Sequence, residues 1–236
     1  MAIRPRLFAA LCAAFSAAAS AATLQISPVT LELAPSVSAA GVTLSNSGAQ
    51  PIYGQVRTFR WTQENGEDVL TPTDSVAASP PLLQIGANAE QLIRLVRTTL
   101  AAPAAEESYR VLIDELPAPG TPVANGVTLR LRYSVPVFVE PDRTPAPPQL
   151  DWRVEADPRG WRLSVANRGG RRAQISAVRL VDAQGNAHEV AHGLLGYALA
   201  GSVRRWLLGL DAHKVPFMKV QATVNTQPVE ARLTLP

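Results

Sequence analysis

Alternation of apolar and polar positions is strongest between residues 127 and 135. Val127, Leu129, Leu131, Tyr133 and Val135 interleave there with Thr128, Arg130, Arg132 and Ser134. A strand turns successive side chains to opposite faces, so this period of two sorts the segment into one apolar row and one cationic or polar row. The segment continues into Pro136-Val-Phe-Val-Glu-Pro141. Few strands need so long an apolar row beside arginines; one use for it is to lend that row to another protein. Shorter runs occupy residues 24–33, 41–45, 52–61, 91–98 and 109–116. Turn signals part them: Asn46-Ser-Gly48, Glu64-Asn-Gly-Glu67 and Ser79-Pro-Pro81, the last a sharp corner and a candidate cis-proline site. With 127–139 these make six runs, close to the seven strands of one immunoglobulin-like sandwich.

A proline-rich stretch from Pro141 to Pro148 follows and reads as a stiff linker. Beyond it lies a second series of runs at 151–155, 161–167, 173–181, 202–208, 215–224 and 229–235. The turns Asp157-Pro-Arg-Gly160, Asn167-Arg-Gly-Gly170 and Asp182-Ala-Gln-Gly185 separate them. Helix signals are nearly absent, so the chain is expected to be all-β. The predicted organisation is a first sandwich over 23–141, a linker over 142–148 and a smaller sandwich over 149–236. Each unit, at about 100 residues, is large enough to be held by its core alone.

Arg4 and Arg6 precede an apolar, alanine-rich stretch at 7–19, and Ala19-Ser20-Ala21 offers a small-residue cleavage site. Residues 1–22 are therefore predicted to be an export signal. The stretch is short for a bilayer anchor, and no later run is long enough to insert. The expected product is a soluble protein of the periplasm. The sole cysteine, Cys12, leaves with the signal, so the mature chain is expected to hold no disulfide. The net charge of +3 includes Arg4 and Arg6; without them 20 basic side chains face 19 acidic ones. That balance is no nucleic-acid footprint.

Catalytic signatures do not emerge. No nucleophile elbow, phosphate loop or dinucleotide fingerprint occurs. His188 and His192 stand four apart, a metal spacing only on a helix, and their surroundings read as turn and strand. Asp114 and Glu115 are adjacent in a strand and face opposite sides. Arg171-Arg172 and Arg204-Arg205 read as solvated pairs, and Trp61, Trp152, Trp161 and Trp206 as core or rim residues. The expectation is a non-enzymatic protein without metal or cofactor.

Ordered motifs carry a family resemblance over nearly the whole mature chain. Leu24-Gln-Ile-Ser-Pro-Val-Thr-Leu-Glu-Leu33, Val42-Thr-Leu-Ser-Asn46, Arg60-Trp61-Thr-Gln with Gly66-Glu-Asp68, Ser79-Pro-Pro81 and Gln91-Leu-Ile-Arg94-Leu come in sequence. Tyr109-Arg-Val-Leu-Ile-Asp-Glu-Leu-Pro117 is the most specific, and Tyr133-Ser-Val-Pro-Val-Phe138 closes the series. Together they resemble the PapD-like periplasmic chaperones of pilus assembly. Gly196-Tyr197-Ala-Leu-Ala-Gly201 leading to Arg204-Arg205-Trp206 resembles the branch that serves archaic, spore-coat-type pili.

The resemblance implies two immunoglobulin-like sandwiches set as a boomerang around a cleft. It implies that a strand is donated to pilin-like subunits, whose own sandwich lacks its last strand, and that an outer-membrane usher receives the complex. Val127, Leu129 and Leu131 fall at the family's donor positions, and Tyr133 continues the row. Many relatives hold the subunit's terminal carboxylate with two basic residues; those positions are Thr30 and Pro136 here. Arg94 and Arg132 are the candidate replacements, because guanidinium grips a carboxylate with two hydrogen bonds. Self-association of the free protein would cover its apolar row. A different class of reading is an exported two-sandwich adhesin or matrix-binding protein.

Overall fold

The computed structural model describes residues 24–99, 101–120, 129–210 and 216–234. The export-signal expectation lies outside them. No helix occurs among the described residues; seventeen strands build four sheets.

The first unit opens with β1 (Leu24–Ser27) and β2 (Leu31–Leu33). The single run expected over 24–33 is thus two strands in different sheets. β1 pairs antiparallel with β3 (Ala39–Asn46), whereas β2 runs parallel to β10 (Arg132–Val139). The inward positions change from Leu24 and Ile26 to Leu31 and Leu33. That change of parity is what a crossing between facing sheets requires, since each must aim its side chains at the same core from opposite sides. Pro28 lies in the crossing, where no ladder needs its missing N–H. The peptide bonds Ser27–Pro28 and Ser79–Pro80 are both cis.

One sheet has the order β1-β3-β8-β6, with β6 at Val76–Ser79 and β8 at Ala89–Arg97. The other runs β2-β10-β9-β4-β5, with β7 (Leu82–Ile85) also on β4. Here β4 spans Ile52–Glu64, β5 Glu67–Pro72 and β9 Glu107–Leu116. Val42, Leu44, Ile93 and Leu95 face Val56, Val111, Ile113 and Val137 across a fully buried core. Each such aliphatic side chain contributes roughly 1.5–3 kcal/mol on burial.

In the second unit β11 (Leu150–Asp157), β12 (Gly160–Asn167) and β15 (Val203–Leu208) form one sheet. The facing sheet has the order β14-β13-β16-β17, from β13 (Ala173–Asp182), β14 (Ala187–Ala198), β16 (Phe217–Val224) and β17 (Gln227–Arg232). Strand β14 is absent from the sequence expectation. It is an edge strand, and its register against β13 shifts around Ala177, which adopts φ of 49°. Such a bulge breaks the period of two that alternation depends on.

The two units are firmly joined. Trp61, Phe138, Tyr197 and Leu199 form one buried cluster, with Trp61 and Tyr197 edge to face at 5.4 Å. The β4–β5 hairpin tip touches β15: Arg205 N donates to Gly66 O at 2.9 Å, and Arg204 reaches Glu67 at 2.9 Å. Gly66 has φ of +83°, and a Cβ there would lie 2.6 Å from Arg205 Cγ and Cδ. Only glycine meets both demands. The proline-rich connection is docked rather than free: a Cβ on Gly169 would come within 2.2 Å of Pro147 O.

Candidate functional site

The apolar row of β10 is graded along its length. Val135 is buried in the first core, and Tyr133 is half-buried against it, its hydroxyl donating to Leu24 O at 3.1 Å. Leu131 is 40 % exposed and Leu129 is 85 % exposed. The chain's own sandwich therefore uses the row up to Tyr133 and leaves the two leucines uncovered. Val127 lies outside the described residues.

Main-chain geometry singles out one edge of this strand. Glu115 N donates to Leu131 O at 3.0 Å, so odd-numbered residues direct their main-chain groups at β9. Antiparallel pairing alternates, so Arg132 and Ser134 direct theirs the other way. On that side β2 covers only Val137, Phe138 and Val139. Among the described residues no strand pairs with residues 132–135 there. Pro136 falls in the same phase, so its missing N–H faces away from β9 and costs that ladder no bond. A strand added beside β10 would find donors at Arg132 and Ser134 but none at Pro136.

The polar row lies on the outer face of the sheet. Asp114 bridges Arg132 and Arg57, the latter at 2.6 Å. Burial pushes the Asp114 carboxyl up, but hydrogen bonds and charge from Arg132 and Arg57 outweigh it and leave its pKa below the usual carboxylate value. Glu115 turns its carboxylate to Leu131 N at 3.2 Å. Arg94 belongs to β8 in the other sheet, opposite Gly41 and Ser79, and is exposed. The structure does not bring Arg94 and Arg132 together. Thr30 lines the cleft between the units, and Pro136 is buried.

That cleft, about 800 Å³, corrects the reading of Arg171-Arg172 as a solvated pair. Arg172 pairs with Glu32 and with Glu106 (2.5 Å), and its guanidinium lies 3.7 Å over the Phe138 ring. Its side chain is 7 % exposed and that of Glu106 is 0 % exposed. Arg171 joins Glu32 at 3.1 Å and Glu140 at 2.8 Å. Arg110 stacks 3.7 Å over Trp61, where burial lowers its pKa. Arg204 is not solvated either, since its side chain is largely covered where it holds the hairpin tip, whereas Arg205 stays exposed beside it. Charge balance hides all of this in the sequence: Glu106 and Glu32 lie 66 and 140 residues from Arg172, and Glu140 lies 31 from Arg171. His188 binds Asp182 at 2.9 Å and His192 faces Glu189 at 3.5 Å. Among the described residues no cluster could hold a metal.

The family model for the N-terminal domain of PapD, described as "Pili and flagellar-assembly chaperone", matches residues 23–145. The chain belongs to this family. A chaperone role in pilus assembly follows from that membership. Its fold is similar to a chain of the CsuC–CsuE chaperone–tip adhesion subunit pre-assembly complex from archaic Csu pili of Acinetobacter baumannii. The identity is 23 %, the TM-score 0.70, and the match covers 91 % of this chain and 100 % of that one. It is also similar to the YadV chaperone, with 20 % identity, TM-score 0.65 and coverage of 90 % and 100 %. A third likeness is to the Salmonella enterica SafA pilin–SafB chaperone complex, with 17 % identity, TM-score 0.64 and coverage of 92 % and 99 %. Comparison with curated protein sequences gives no match. In this pilus chaperone the family's two-sandwich frame carries a neutralised cleft and an open β10 edge.

Proposed function

We propose that this chaperone captures pilin-like subunits by adding the open edge of β10 to their incomplete sandwich. The single observation behind the reading is the conjunction at residues 129–135: unpaired main chain on one edge, and Leu129 and Leu131 uncovered beside it. Edge groups at Arg132 and Ser134 would bond any subunit's backbone, giving general affinity. Leu129, Leu131 and the preceding Val127 would fill the subunit's groove. Each leucine, fully buried, contributes roughly 1.5–3 kcal/mol before the costs of association. Tyr133 would bound the row, because much of it already packs on the chaperone itself.

In this reading the chain acts without catalysis or cofactor. It is exported to the periplasm and passes its subunit to an outer-membrane usher; the subunit's exchange to a better-fitting pilus strand runs downhill. The match to the Csu complex and the 196–206 motif favour the archaic branch. The test is periplasmic co-expression with candidate subunits. The wild-type chaperone should yield a soluble one-to-one complex. Leu129→Asp and Leu131→Asp should fold, since both sites are exposed, yet recover no subunit. Undiminished recovery by both variants would refute the donor assignment.

A further inference from the structure

The rung where β10 leaves its own sheet is built differently from the rungs after it. In an antiparallel ladder, Leu131 N–H would bond the main-chain carbonyl of Glu115. It bonds the Glu115 side-chain carboxylate instead, at 3.2 Å, while Glu115 N donates to Leu131 O at 3.0 Å. One residue earlier on β9, Asp114 sits directly opposite Arg132 and binds it. Its second oxygen takes Arg57 of β4 at 2.6 Å. Three strands are thus tied at the point where residues 129–131 run past the core. Asp114 and Glu115 face opposite sides of β9, so the strand is gripped once from the outer face and once along its edge.

We propose that Asp114 and Glu115 are positioning residues that set the phase of the donated row. The inference rests on the donor reading above. Phase matters because a slip of one residue turns Leu129 and Leu131 to the opposite face and Arg130 and Arg132 into the groove. The ladder alone resists such a slip weakly where the strand has no second neighbour. A carboxylate on Leu131 N–H fixes which residue ends the ladder. The Arg57–Asp114–Arg132 bridge fixes which side chain points outward beside it. Neither carboxylate would touch the subunit; both act through the strand they hold.

The experiment compares wild type with Asp114→Asn, Glu115→Ala and Glu115→Gln in two measurements. Hydrogen exchange of the free chaperone should rise about five-fold at Leu131 and Tyr133, whose N–H groups face β9, in Asp114→Asn and Glu115→Ala, the size expected for one surface ion pair or hydrogen bond. Glu115→Gln should restore slow exchange, since its amide oxygen still accepts. Raised salt should speed exchange in wild type but not in Asp114→Asn. Capture of the subunit recovered by wild type should weaken by a similar factor in the first two variants and return in Glu115→Gln. Unchanged exchange overturns the clamp, and raised exchange with unchanged capture overturns its positioning role. Failure of wild type to recover any subunit would instead defeat the donor reading.

Discussion

Arg172→Ala should weaken the joint between the two sandwiches more than any surface change. The Glu106 side chain has no solvent exposure, and Arg172 supplies both its guanidinium contact at 2.5 Å and its main-chain N–H at 2.8 Å. Truncation leaves the N–H but removes the charge; the nearest remaining cation, Arg171 Nε, is 4.0 Å away. Breaking a buried pair in this way costs about 3–5 kcal/mol. Loss of the stack on Phe138 belongs to the same change, so the two terms do not add. At about 2–4 °C per kcal/mol for a chain of this size, Tm should fall by about 10 °C. Urea unfolding of the mature protein, followed by tryptophan fluorescence, measures it directly, since Trp61 lies in the joint. The pair Arg172→Met with Glu106→Gln should recover most of the loss, because no uncompensated charge stays buried. A loss below about 1 kcal/mol for Arg172→Ala would show that the cluster behaves as a solvated surface pair.

Asn46→Ala and Asn167→Ala should each cost about 2–3 kcal/mol. Asn46 donates to Gln50 O, Ile85 O and Gly86 O and accepts Gly48 N–H, while Asn167 donates to Arg171 O and Ala198 O and accepts Gly169 N–H. Denaturant midpoints near wild type would refute this role. Asp182 is held at a pKa of about 2, first by His188, against burial that raises it, with main-chain and side-chain donors of Asn186 and Gln184 N–H adding to the depression. Its folded pKa is depressed, so its stabilisation is present above the ordinary value of 3.8 and is lost as pH falls through about 2. Asp182→Asn should therefore flatten the acid limb of the stability curve between those values, and an unchanged limb would count against it. Arg94→Ala should leave subunit capture unaltered, since Arg94 lies on the other sheet from the open edge; loss of capture would return it to the site.

Strand alternation made most of the first sandwich legible, because burial on one face imposes period two wherever pairing is regular. It passed over the short strands β5, β6 and β7, and it failed at 24–33 and at β14. In the first case both rows keep the period while the chain changes sheets at Pro28. In the second, the bulge at Ala177 and the edge position leave 187–198 without a clean pattern. The motif Asn-x-Gly at 46–48 and 167–169 was readable as a turn, but not as a buried corner that bonds distant carbonyls.

The amino-acid sequence alone determined the class of fold, the family likeness and the existence of an apolar row beside Arg130 and Arg132. These follow from local covalent order, which fixes the face each side chain takes once a strand forms. Only the tertiary structure decided which part of that row is free. Leu129 and Leu131 are uncovered, whereas Tyr133 packs on the first core and its hydroxyl reaches Leu24 O. It also turned Arg171 and Arg172 from surface charges into the bond between sandwiches, since Glu32, Glu106 and Glu140 reach them only when the chain has folded back. Residues far apart in sequence meet by packing, and sequence spacing carries no record of that meeting.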